Sequence, residues 1–179
     1  MTTRRVLVTG ASGSGTTTLG RELAADWEVP HADADDYFWI PTDPPFTRKR
    51  PETERVELMR AVFLPRASWV LSGSLMGWGD SLIPMLDAVV FLTLAPEIRM
   101  RRLTERETIR YGGADTKASR EFLDWARGYD DPGFAGRNLA GHEQWLARVP
   151  CPVFRLQSRD PVTELADSVT RWLDTEPAR

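Results

Sequence analysis

The stretch from Arg4 to Leu19 constrains this chain more than any other. Arg5-Val6-Leu7-Val8-Thr9 is an apolar run of strand type. It breaks into Gly10-Ala11-Ser12-Gly13-Ser14-Gly15 and passes directly into Thr16-Thr17-Thr18-Leu19 with helical spacing. Gly10, Gly13 and Gly15 allow a tight turn and positive φ. The amides from Gly13 to Thr18 would then face a concavity suited to phosphate oxygens, because unpaired N–H groups and the helix dipole both favour an anion there. A glycine turn that holds no ligand is the plain alternative.

These residues resemble the P-loop, G-x-x-x-x-G-K-[ST], in every element but one. Gly10 and Gly15 have the required spacing, and Thr17 supplies the hydroxyl that the resemblance assigns to Mg²⁺. Thr16 stands where the lysine belongs, so a hydrogen bond replaces a point charge on the β- and γ-phosphates. The Gly-Ser-Gly-Thr-Thr-Thr form also resembles the loop of some archaeal-type cytidylate kinases, which carry threonine at that position. A rival is the G-x-x-G-x-x-G fingerprint of short-chain-dehydrogenase-like proteins, which would use Gly10 and Gly13 but needs glycine at Thr16. The Tyr-x-x-x-Lys pair common in those enzymes is absent, since Lys49 and Lys117 follow Pro45 and Gly113 by four places.

At 179 residues the chain reads as a single domain, 1–179, with one substantial core. Its 23 basic and 26 acidic side chains give a net charge of −3, so no global basic field points to nucleic acid. Arginine supplies nearly all the positive charge, which suits bidentate phosphate recognition. The single cysteine, Cys151, precludes an intramolecular disulfide, fits a reducing compartment and reads as a small buried residue. No apolar run nears membrane-spanning length, and the first residues lack a signal-peptide core. The expectation is a cytoplasmic monomer or homodimer without a nucleic-acid or membrane partner.

Past the loop, Leu19, Leu23, Ala24 and Trp27 predict an amphipathic helix from about Thr16 to Trp27. A short strand, Val29 to Ala32, leads into Asp33-Ala34-Asp35-Asp36-Tyr37-Phe38-Trp39, and the prolines between Ile40 and Arg50 argue against regular structure there. A helix from Pro51 to about Leu64 precedes a strand, Ala67 to Gly73, and the loop Ser74 to Asp80. Ala88 to Leu94 is apolar nearly throughout, as a strand buried on both faces should be. Pro96 opens a basic helix, Ser119 to Arg127 forms another, Val153 to Leu156 is a last strand, and Pro161 begins a terminal helix. Read as β-α-β-α-β-α-β-α-β, the pattern is α/β: a parallel sheet with helices on both faces.

A strand, P-loop and helix opening so short an α/β chain resembles the nucleoside-monophosphate and shikimate kinase group. That resemblance implies a P-loop NTPase fold of three layers, its five parallel strands in the order 2-3-1-4-5. It also implies an acceptor-binding insert at about 36–66 and a lid-like region at about 107–142, with Gly112 and Gly113 as hinges. The Asp33-Ala34-Asp35 sequence resembles the Asp-x-Asp of shikimate kinases, which makes Asp33 a Mg²⁺ ligand beside Thr17 and sets Asp35 on the acceptor hydroxyl. Asp35-Asp36-Tyr37-Phe38 is also similar to the Asp-x-Phe-Tyr of uridine kinases, and both comparisons select Asp35. Phosphoryl transfer to an alcohol needs such a proton acceptor. A solvated acidic turn accounts for the same residues.

Arg102-Leu103-Thr104-Glu105-Arg106 resembles the Arg-x-x-x-Arg of adenylate-kinase-type enzymes. By that comparison Arg102 stacks on the nucleotide base and Arg106 contacts phosphate; a solvated arginine face is the bland reading. Ser12, Ser14 and Thr18 complete the expected phosphate cradle. Arg48, Lys49 and Arg50 beside Phe46 suit an anionic acceptor, joined by Asp36 and by Gly73 at the third strand's end, and Lys49 is a candidate for the missing charge. Tyr37, Phe38 and Trp39 either stack on a flat acceptor or belong to the core. No carboxylate ends the third strand, and His31 and His142 are isolated, so no zinc site is indicated.

The reading is an ATP- and Mg²⁺-dependent kinase acting on a small-molecule acceptor, a nucleoside or nucleotide before a shikimate-like acid. A catalytically weak nucleotide-binding sensor or ATPase, and a dinucleotide-binding dehydrogenase-like protein, are the alternatives.

Overall fold

The computed structural model describes residues 4–113 and 116–175. Five parallel strands form one sheet in the order β2-β3-β1-β4-β5. They are β1 (Arg5–Gly10), β2 (His31–Asp33), β3 (Trp69–Ser72), β4 (Ala88–Thr93) and β5 (Val153–Gln157). Central β1 pairs in parallel with both neighbours, Val6 opposite Val70 on one side and Ala88 on the other. Its alternation divides the interior. Val6 and Val8 point to the face covered by α1 (Thr16–Asp26) and α7 (Val162–Thr175), whereas Leu7 points to the opposite face with Leu71, Val89 and Phe91.

On that second face lie α2 (Ala34–Phe38), α3 (Glu52–Val62) and α6 (Leu139–Leu146), which contribute Tyr37, Met59 and Trp145 to the core. Cys151 is buried in the same cluster. At the C-terminal end of the sheet, α4 (Pro96–Arg110) packs against α5 (Lys117–Arg127).

The structure departs from the sequence reading in its connections. No α-helix joins β3 to β4; a 3-10 helix, Asp80–Met85, does so, since Gly77, Gly79 and Pro84 leave too short a run for one. Residues 38–50 are not irregular throughout, because the Ile40 amide donates to the Arg48 carbonyl at 2.9 Å and that of Arg50 to Phe38 at 2.8 Å. The second strand comes later than expected, and α2 begins immediately after it. The lid-like stretch holds α5 and the first half of α6; Ala114 and Asp115 within it lie outside the described residues. Gly112 and Gly113 adopt φ of 61° and 85°.

A buried polar chain fastens this region to the sheet. His142, fully buried on α6, pairs through Nε2 with Thr9 Oγ1 at 3.0 Å and through Nδ1 with the Tyr129 hydroxyl at 2.9 Å. Burial pushes the imidazole down to about 3 and the phenol up to about 12. His142 therefore stays neutral when folded but takes a proton when unfolded, and its contribution to stability is complete above about pH 6.5 and lost as pH falls toward 3. The slope from this one group should approach about 1.4 kcal/mol per pH unit. His142→Gln should remove about one proton's worth of that acid dependence, read from urea unfolding between about pH 4.5 and pH 7. Identical slopes in the two proteins would show that another group governs acid unfolding.

Candidate functional site

Everything at the C-terminal end of the sheet converges on the loop that β1 delivers. The Ser14 amide donates to the Ala11 carbonyl at 3.1 Å, and Gly15, at φ 96°, serves as the N-cap of α1 with no side-chain cap. The first amides of α1 are therefore left for something other than a capping side chain. Gly13 sits at φ 82°, where an added Cβ would come within 2.8 Å of the Arg99 carbonyl. The Ser12 carbonyl accepts a hydrogen bond from Arg99 Nη1 at 3.2 Å, and Ser12 Oγ accepts one from Arg137 Nη2 at 3.0 Å.

Beside the loop lies a cleft of about 360 Å³. Gly13, Gly15 and Thr16 to Thr18 form one wall, Arg102 and Arg106 of α4 another, and Ser158 and Asp160 after β5 a third. Gly10 closes β1 beneath the loop, and Ser14 is buried with its hydroxyl lacking a partner. Arg102 is exposed, its Nη1 3.9 Å from where a Cβ on Gly15 would stand. The Arg106 guanidinium lies over the Phe122 ring at 5.4 Å, with Nε 3.6 Å from Glu107 Oε1. Burial and neighbouring Arg110 lower its pKa.

Thr17 and Asp33, sixteen residues apart, meet here: the hydroxyl donates to Asp33 Oδ2 at 2.6 Å. Ser72 Oγ reaches the same oxygen at 3.2 Å, and Asp33 Oδ1 caps α2 by accepting from the Asp35 amide at 3.0 Å. Gly73, at φ 109°, passes so close that a Cβ would lie 3.4 Å from Asp33 Oδ1. Asp35 itself is exposed, outside the lining of that cleft, yet enough protein surrounds its carboxyl to desolvate it in part. That desolvation, then the charge of Asp33, raises its pKa, while Arg137 and Arg106 partly offset the rise. The result is a carboxylate more basic than usual, facing two guanidinium groups.

The remaining candidates are spread along α2 and the hairpin after it. Asp36 and Arg48 are exposed. Arg50 turns back on its own chain, donating from Nε to the Tyr37 carbonyl at 3.0 Å, so it braces α2. The Lys49 ammonium sits over the Phe38 ring at 5.8 Å and does not line the cleft at the glycine loop. Tyr37 belongs to the core, whereas Phe38 and Trp39 are half-buried.

Sequence reasoning missed two arginines. Arg55 is buried on α3 with its guanidinium 3.9 Å over Phe38; its signal was a cation one turn before Met59, the other buried residue of that helix. Arg137 left only the signal of a cation beside Asn138, the N-cap of α6. Its Nε is buried without a hydrogen-bond partner.

Replacing Gly13 by alanine should force a positive φ on a β-carbon and press it into α4. Gly13→Ala should cost about 1–3 kcal/mol, seen as a lower urea midpoint. An unchanged midpoint would mean that the loop is free to move away from Arg99.

A family model described as "AAA domain" matches residues 6–123. A Bacillus subtilis (strain 168) protein, "Uncharacterized protein YqaC", is 38% identical over 178 residues, covering 96% of this chain and 98% of that one. Among solved structures, shikimate kinase from Bacteroides thetaiotaomicron superposes with a TM-score of 0.56 at 19% identity, over 96% of this chain and 98% of its own. Shikimate kinase from Acinetobacter baumannii, in complex with shikimate, gives 0.62 at 14% identity, over 99% and 96%. Likeness at such identity is a likeness of fold. The sheet order and the helices around it are those of a P-loop kinase-like fold.

Proposed function

We propose that this chain, which belongs to the AAA domain family, is an ATP-dependent phosphotransferase acting on the hydroxyl of a small-molecule acceptor. The observation that carries this reading is the 2.6 Å bond between Thr17 and Asp33 beside the glycine loop, with Asp35 two residues further on. Hydroxyl and carboxylate oxygens are the donor set that Mg²⁺ prefers. The uncapped start of α1 and the arginines around the loop suit phosphate oxygens. The residues fit ATP–Mg²⁺.

When bound, ATP–Mg²⁺ supplies a transferable phosphoryl group and the ion that neutralises its charge. The amides from Gly13 to Thr18 would hold its phosphates, Thr17 and Asp33 would hold the ion, and Arg102 would contact the base. Asp35 orients the acceptor hydroxyl and takes its proton; its raised pKa brings its basicity nearer to the working pH. Arg106 contributes charge toward the phosphates. Phe38 and Trp39, with Arg55 and Lys49 against the Phe38 ring, favour a flat acceptor bearing an anionic group, and a nucleoside or nucleotide fits that description before a shikimate-like acid.

A second reading is favoured by the threonine at position 16 and by Ser72, rather than a carboxylate, at the end of β3. It is a nucleotide-binding sensor or slow ATPase. The two separate in an acceptor screen run with ATP–Mg²⁺ and a phosphate-release control. Transfer without matching release supports the kinase, and activity that appears only in Thr16→Lys supports the sensor. A melting temperature raised by NADH and not by ATP–Mg²⁺ would sink both.

Within the kinase reading, Asp35→Asn should lower transfer by about 10²–10⁴-fold, the usual worth of a positioned base. Its ATP affinity, measured by titration calorimetry, should change by less than about threefold, since the carboxamide keeps the shape of the site. Undiminished turnover would remove Asp35 from the mechanism.

A further inference from the structure

We propose that Arg137 supplies the positive charge that Thr16 cannot, holding the donor's terminal phosphate between the Ser12 end of the loop and Asp35. The inference rests on the nucleotide-binding reading above and adds to it the residue that stands in for the lysine.

The cations around the loop differ in what already occupies them. Arg99 is buried, donates to the Ser12 carbonyl and forms an ion pair with Asp130, so its charge is matched within the fold. Arg102 stands at the Gly15 side of the cleft, toward Ser158 and Asp160. Arg106 shares Glu107 with Arg110. Lys49 lies over Phe38 on the hairpin.

Arg137 is held by neutral groups. Nη2 donates to Ser12 Oγ at 3.0 Å, and the guanidinium lies 5.3 Å over the Trp125 ring. Among the described residues it has no ion pair, and its buried Nε lacks a hydrogen-bond partner. A buried donor without an acceptor is costly, and more so on a charged group. Here the cost is met in the presence of an anion lodged between loop and carboxylate. The location agrees, because Arg137 and Asp35 feel each other's charge. A guanidinium there can fork two phosphate oxygens while keeping its grip on Ser12.

The test is equilibrium binding of fluorescent ATP and ADP analogues with Mg²⁺, which needs no acceptor and no turnover. Arg137→Ala should weaken ATP by about 10- to 100-fold, as expected for a charged hydrogen bond, and ADP by less than about threefold. Arg137→Lys, which keeps a cation should the alanine variant fold poorly, should retain part of the preference for ATP. Adding Thr16→Lys to Arg137→Ala should restore ATP affinity to within about threefold of the unaltered chain, because the charge returns from the loop itself. Equal losses for ATP and ADP, no loss, or no rescue would overturn the proposal. So would a defect seen only in acceptor affinity, which would place Arg137 on an anionic group of the acceptor. Binding of neither nucleotide by the unaltered chain would instead bring down the nucleotide reading itself.

Discussion

One carboxylate ties the site together. Asp33 accepts from the Thr17 hydroxyl, the Ser72 hydroxyl and the Asp35 amide, and so joins the start of α1, the end of β3 and the start of α2. A charged acceptor with three donors is well stabilised, since charge-assisted hydrogen bonds are roughly twice as strong as neutral ones. The arrangement explains why Gly73 stands where it does: a Cβ there would lie 2.8 Å from that of Ala34, pushing α2 off the strand end. It also adds to the unusual basicity of Asp35: desolvation raises that carboxyl most, and the charge of Asp33 two residues before it raises it further.

The strands were legible because they are buried on both faces. Val6 to Val8 and Ala88 to Leu92 are nearly inaccessible to solvent, so no alternation with polar residues obscures them. The loop was legible because positive φ at residues 13 and 15 requires glycine, and the sequence displays it. The bounds of the second strand were not, since three residues, one of them the capping Asp33, carry too little pattern to fix them. For α6, Gly141 weakens the propensity of its first turn, and its stability comes from burying His142, Trp145 and Leu146. Asp33 and Thr17 could be placed at one site because each sits at the end of a recognisable element. Arg99 with Asp130, and Arg137 with Ser12, are pairings between distant segments that no local pattern announces.

Two grips hold the region after α5 against the loop, and they differ in kind. The first is ionic: Arg99 binds the Ser12 carbonyl on one side and Asp130 on the other, with its guanidinium over the Tyr129 ring. Breaking it by removing Asp130 would strand a buried guanidinium, at about 3–5 kcal/mol. The second is neutral, the chain from Thr9 through His142 to Tyr129. Each hydroxyl can donate or accept, so both ring nitrogens are satisfied in either tautomer and no charge is needed. With Asp130 next to Tyr129, both grips end on the same turn. Residues 128–130 therefore form an anchor point for the segments on either side.

That anchoring bears on how an arginine can do a lysine's work. A P-loop lysine is carried by the first turn of its own helix and needs nothing else to position it. Arg137 comes from another segment, and its usefulness depends on how firmly that segment is registered against β1. The registration is local and complete. Asn138 caps α6 by accepting from the Gly141 amide at 2.7 Å and donates to the Phe134 carbonyl at 2.7 Å, while the His142 amide donates to its carbonyl at 3.0 Å. His142 in turn is bonded to Thr9, the residue just before Gly10. From the strand that carries the glycine loop to the arginine beside it, the path runs through a buried imidazole and one helical cap. A charge placed this way is set by tertiary packing, so the loop sequence can lose its lysine without the site losing a fixed cation.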